Sequence, residues 1–113
     1  MPALIFNKSN LSTESLLSKQ PVVVYFGAKW CAPCAILAPA MDTLAHEYEG
    51  RAKVGKVDAD TNQVMMQTYG VNSLPTTIVF DQGAIVLRIV GVQGMYLKTI
   101  RDTLNKILSR RTT

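Results

Sequence analysis

The spacing of apolar residues changes character several times along this chain. Residues 3–6 (ALIF) form a short apolar run that predicts an opening strand. Leu11 and Ser12 then begin a helical stretch to about Ser18, with Ser12 as N-cap and Leu11 placed to staple onto Leu16. Pro21 ends it. Residues 22–26 (VVVYF) are continuous, β-branched and aromatic, which is the pattern of a strand buried on both faces.

The longest helical pattern runs from about Cys31 to Glu49. Leu37, Met41, Leu44, Ala45 and Tyr48 recur at i, i+4, i+7, i+8 and i+11 and make one apolar face, with Gly50 at the usual closing position. Pro39 inside this stretch removes a backbone donor and predicts a bend. His46, between the core positions Leu44 and Tyr48, is expected to face water. Residues 52–57 read as a strand and 61–69 as a helix closed by Gly70. Residues 76–80 and 85–90 predict a hairpin across Asp81-Gln82-Gly83-Ala84, with Gly83 supplying the turn. The last helix covers about 95–110, with Leu97, Ile100, Leu104, Ile107 and Leu108 along one side. The predicted order is βαβαβαββα, an α/β domain.

Composition narrows the class. At 113 residues the chain is expected to be a single domain over 1–113. Its 48% hydrophobic content supports a core, and 18% charge with seven Gly and five Pro excludes general disorder. The most apolar run, residues 22–28, is far shorter than the ~20 residues a membrane helix needs. The first ten residues, MPALIFNKSN, show neither a basic n-region nor an apolar h-region, so a cytoplasmic rather than secreted protein is expected.

The net charge of +4 lies wholly in the tail. Residues 1–97 carry seven basic and seven acidic groups, whereas 98–113 carry Lys98, Arg101, Lys106, Arg110 and Arg111 against Asp102. Basic groups late in a helix complement its dipole. No aromatic interleaves them after Tyr96, so a nucleic-acid surface is not expected. A solvated helix face is the simpler reading, with a weak docking patch for an acidic partner as the alternative.

Chemistry enters with the two cysteines, Cys31-Ala32-Pro33-Cys34. A loop this short is a poor structural staple, because disulfide stabilisation grows with loop length. A zinc site takes about four ligands, and two Cys with one His do not supply them, so no metal is expected. The motif follows a buried strand and opens a helix. There the first sulfur meets unsatisfied amide donors and the positive dipole end, which favours thiolate at Cys31. Cys34, one turn further in, is placed to attack the resulting mixed disulfide. Pro33 restricts the backbone between them and gives up no hydrogen bond in a first turn.

The segment Phe26-Gly27-Ala28-Lys29-Trp30-Cys31-Ala32-Pro33-Cys34 resembles the active-site signature of the thioredoxin family. Pro39, Lys56, Leu74-Pro75-Thr76, Phe80-Asp81-Gln82-Gly83 and Val90-Gly91-Val92 extend the resemblance over roughly residues 3–110. It implies a mixed five-stranded sheet with helices on both faces, the dithiol at its edge, and a cis Leu74–Pro75 bond. It also implies an apolar groove for extended polypeptide, built from Trp30, Ala32, Pro33, Leu74, Pro75, Thr76, Val90, Gly91 and Val92. Two positions depart from the pattern. Tyr25 stands where the family usually carries a buried aspartate, and Gly27 where many members carry tryptophan. Two roles are open for Tyr25: hydrogen-bonding to Lys56 or holding a water, and filling the space beside Gly27.

The resemblance implies a protein disulfide reductase without cofactor, a monomer fed by a thioredoxin reductase and acting on protein disulfides. One alternative is an oxidant or isomerase of different redox poise. The other is a non-catalytic binding module on the same fold.

Overall fold

A computed structural model describes residues 3–7, 10–11, 19–92 and 94–111. Five strands form one sheet: β1 (Leu4–Phe6), β2 (Val22–Gly27), β3 (Lys53–Asp58), β4 (Thr76–Asp81) and β5 (Ala84–Val90). Their spatial order is β1-β3-β2-β4-β5, parallel for the first three and antiparallel from β2 onward. Among the described residues, three helices accompany them: α1 (Ala32–Glu47), α2 (Gln63–Thr68) and α3 (Tyr96–Arg111). The helix expected over residues 11–18 lies outside the described residues from position 12 onward.

Strand β2 is buried along its whole length, as its unbroken apolar run predicts. Alternate side chains divide the core in two. Val23 and Tyr25 face α1 and α3, together with Leu37, Met41, Leu44, Ile100 and Leu104. Val22, Val24 and Phe26 face α2, with Met65, Ile78 and Phe80. The mixed sheet with helices on both faces is therefore as expected.

Of the predicted apolar face of α1, Leu37, Met41 and Leu44 are buried, with Tyr48 just beyond, while Ala45 is half-buried and Cys34 joins the buried set. His46 faces solvent. The helix docks onto α3 by the Tyr48 hydroxyl donating to Asn105 Oδ1 at 2.7 Å and Arg101 Nε donating to Glu47 Oε2 at 2.8 Å.

The hairpin forms across Asp81-Gln82-Gly83-Ala84 as expected, while a bulge in β5 and a split of the 61–69 helix add to the sequence reading. The β4–β5 turn places both Gln82 (φ 52°) and Gly83 (φ 86°) in the left-handed region, which is the geometry that matches the twist of a two-residue hairpin. Val79 pairs with Leu87 but Phe80 pairs with Ile85, so Val86 is an extra, bulged residue. The stretch expected as one helix over 61–69 is instead a 3-10 turn, Ala59–Thr61, followed by α2.

Candidate active site

The two cysteines lie where β2 gives way to α1. The Cys31 amide donates to the Ala28 carbonyl at 3.2 Å, closing the turn through Lys29 and Trp30. Cys31 is the N-cap of α1, and its Sγ accepts from the Cys34 amide at 3.3 Å. A sulfur thus occupies the place where a serine or aspartate oxygen usually satisfies an orphan amide. Pro33 fits the first turn, which needs no N–H there. The structure holds Cys31 and Cys34 as a disulfide, with Cα atoms 5.3 Å apart. Both cysteines are buried in this form, within the same apolar cluster as Tyr25 and Leu37. Apolar burial acts on both sulfurs, whereas amide donation and the helix dipole act on Cys31 alone. Burial favours thiol, and amide donation with the dipole favours thiolate.

Beneath the pair, Tyr25 donates its hydroxyl to the Cys34 carbonyl at 2.9 Å. Desolvation, and secondarily Tyr96, push its pKa up to about 12, so the phenol stays protonated. Of the roles open to Tyr25, the hydrogen bond to Lys56 is not formed, although the two residues pair directly across β2 and β3. Lys56 Nζ turns to Asp42 Oδ1 on α1, at 3.0 Å, where the carboxylate is a stronger attraction than a phenol. The space-filling role is seen directly. A Cβ placed on Gly27 would lie 2.6 Å from the Tyr25 hydroxyl and 2.8–2.9 Å from its ring carbons. Gly27 is glycine because the Tyr25 ring already holds that volume.

The remaining expected residues gather around the cysteines from distant parts of the chain. Trp30, Ala32 and Pro33 are exposed beside them. The Leu74–Pro75 bond is cis, with Leu74 half-buried and Pro75 buried. Gly91 donates its amide to the Pro75 carbonyl at 2.8 Å, which ties the proline loop to Val90 and Val92, both about half exposed. Thr76 departs from the groove expectation. It is only 2% exposed, and its hydroxyl donates to the Ser73 carbonyl at 2.7 Å, so it braces the loop from inside.

Two carboxylates escaped the sequence reading. Asp60 accepts the Trp30 indole N–H at 2.9 and 3.0 Å and so orients the exposed ring. Asp42 anchors Lys56 and also accepts the Ala3 amide at 2.9 Å. The only signal for Asp60 was its position in the loop after β3. For Asp42 it was a polar site one residue from the buried Met41. Among the described residues, no group of three or more His, Cys, Asp or Glu is placed to hold a metal ion.

Comparison with known proteins agrees with this geometry. The thioredoxin family model matches residues 2–106. Thioredoxin 1 of Nostoc sp. (strain PCC 7120 / SAG 25.82 / UTEX 2576) is 41% identical over 100 residues, covering 88% of this chain and 92% of that protein. The thioredoxin of Porphyra purpurea is 36% identical over 101 residues, covering 89% and 92%. That of Chlorobaculum thiosulfatiphilum is 40% identical over 95 residues, covering 82% and 88%. With a cysteine pair joined at the start of α1 and a match along nearly its whole length, the chain belongs to the thioredoxin family and is a thiol–disulfide oxidoreductase.

Proposed function

We propose that Cys31 is the attacking sulfur and Cys34 the resolving one in a protein disulfide reductase. The observation that carries this is the hydrogen bond from the Cys34 amide to Cys31 Sγ at the N-cap. It favours negative charge on that sulfur alone. Cys31 thiolate attacks one sulfur of a substrate disulfide, and the first substrate thiolate leaves. Cys34 then loses its proton and attacks Cys31 Sγ, breaking the mixed disulfide and releasing the second thiolate. Two electrons pass from the dithiol to the substrate, and the Cys31–Cys34 disulfide remains.

Substrate polypeptide lies extended over Trp30, Ala32, Pro33, Leu74, Pro75, Val90, Gly91 and Val92. Pro75 and Lys56 support the site, and Tyr25 fixes the first turn of α1. The domain acts as a cytoplasmic monomer. Electrons reside on the two sulfurs, so the chemistry calls for no cofactor, and a thioredoxin reductase returns the disulfide to the dithiol. Among the described residues no helix is long and apolar enough to cross a membrane.

The test is reduction of insulin by dithiothreitol, followed by turbidity, and then by a thioredoxin reductase with NADPH. Catalysis well above reductant alone is expected in both. No acceleration in the first assay would leave a binding module. Acceleration that appears only with an oxidising glutathione buffer, on reduced substrates, would leave an oxidant.

A further inference from the structure

Beside the dithiol, between α1 and the sheet, lies an open cavity of about 290 Å³. Cys34 forms part of its wall, with Ala35 and Ala38 from α1, Tyr25, Gly27 and Ala28 from β2 and the turn after it, and Ile5 and Val57 from β1 and β3. The helix presents only two alanines to this space, Ala35 and Ala38, and so leaves it open. A water takes up roughly 30 Å³ in the liquid, so the space admits several waters or one small ring.

The resolving step needs Cys34 to lose a proton, yet neither Tyr25 beneath it nor Lys56 is placed to take it. Tyr25 commits its proton to the Cys34 carbonyl, and burial keeps it a phenol to about pH 12. Lys56 is paired with Asp42. Asp58 also lines the cavity, and one of its oxygens, Oδ1, accepts the Asp60 amide at 3.0 Å as the cap of the 3-10 turn. Lys29 also lines the cavity, and burial pushes the pKa of Tyr96, which acts on Tyr25, above its ordinary value.

We propose that this cavity is the port for the Cys34 proton, which passes to a compact base from solution of the size of acetate or imidazole. The base enters beside Cys34, takes the thiol proton and leaves as its conjugate acid. The Cys34 thiolate attacks Cys31 Sγ, and the substrate sulfur departs with the electron pair of the broken S–S bond. This rests on the assignment of Cys34 as the resolving sulfur.

The test uses the reduced protein with excess 5,5′-dithiobis(2-nitrobenzoate) in a stopped-flow instrument. The first coloured thiolate is released at a rate set by the reagent concentration. The second comes from Cys34 attack and is independent of it. At fixed pH and ionic strength, the second rate is expected to rise several-fold with imidazole or acetate, and much less with a hindered base such as 2,6-lutidine. Ala35→Leu and Ile5→Trp narrow the cavity from opposite walls, and each is expected to remove most of that dependence. A second rate indifferent to base concentration overturns the proposal. So does equal acceleration by the hindered base, or full dependence retained in both variants. If the second thiolate is never released, the dithiol assignment itself fails.

Discussion

Tyr25 and Gly27 occupy one volume between them, and this explains two departures from the family pattern as a single adjustment. The strand pleat puts both on the α1 face, two residues apart, and the larger ring leans over the smaller neighbour. Gly27→Ala should therefore cost about 1–3 kcal/mol, the usual range for overpacking. In a Tyr25→Ala background the same change should cost much less, because the obstructing ring is gone. Urea unfolding of the four proteins of the cycle measures the coupling. Additive effects would mean that the ring moves aside freely. The sequence already offered this volume argument beside a Lys56 contact, but it could not choose. The choice depended on Asp42, seventeen positions further on, capturing the lysine.

Among the elements, α1 has the most to do, because its start holds the sulfurs and its length ties β3 to α3. Its start makes the cysteines unequal. In the reduced protein Cys31 should alkylate faster than Cys34, with an apparent pKa below the model thiol value of about 8.5. Cys34→Ser should accumulate a mixed disulfide on Cys31, read by mass spectrometry after a substrate pulse. Equal alkylation rates, or no trapped species, would contradict the assignment.

Further along, the Ala3 amide, with help from Lys56, lowers the Asp42 pKa, and Arg101 lowers that of Glu47. A carboxyl whose folded pKa is depressed gives stability that is fully present above its unfolded pKa, about 4 for both residues. That stability is lost as pH falls from there through the lower folded value. Stability measured by urea should thus be flat from neutral pH to about 5 as far as these groups contribute, and decline below 4. Asp42→Asn and Glu47→Gln should each flatten the decline, by no more than about 1 kcal/mol for pairs this exposed. An unchanged acid profile in both variants would remove these contacts from the acid response.

Strands, helices and the cysteine motif were legible because each is written locally, in a run of β-branched residues, a helical spacing or a four-residue motif. The bulge at Val86 and the left-handed Gln82 were not, since both follow from how β4 and β5 twist together. Asp60 is another such case, meaningful only when the loop after β3 meets the indole thirty residues earlier.

On the scale of the whole molecule, the apolar surroundings of the dithiol, part exposed and part buried, come from three separate stretches that only the sheet order brings together. Trp30, Ala32 and Pro33 follow β2, residues 74–75 precede β4, and residues 90–92 close β5 and follow it. The antiparallel ladders between β2, β4 and β5 set them side by side, with Thr76 opposite both Phe26 and Val90. None of these side chains performs the chemistry, which belongs to the sulfurs. Their contribution should therefore depend on the size of the substrate. A polypeptide disulfide can cover the patch and exclude water from it, whereas a small aromatic disulfide touches little beyond the cysteines. Trp30 is 69% exposed and Val92 is 46% exposed, so replacing them removes little core packing. Trp30→Ala and Val92→Ser should accordingly unfold at nearly the parent urea concentration. Burying large apolar side chains is worth about 1.5–3 kcal/mol each, and partial loss of that contact should lower kcat/KM for insulin by roughly tenfold. The bimolecular rate with 5,5′-dithiobis(2-nitrobenzoate) should stay within about twofold of the parent, a difference of less than RT in barrier. Equal losses on both substrates would place Trp30 and Val92 in the support of the cysteines, and no loss on insulin would remove them from the substrate surface.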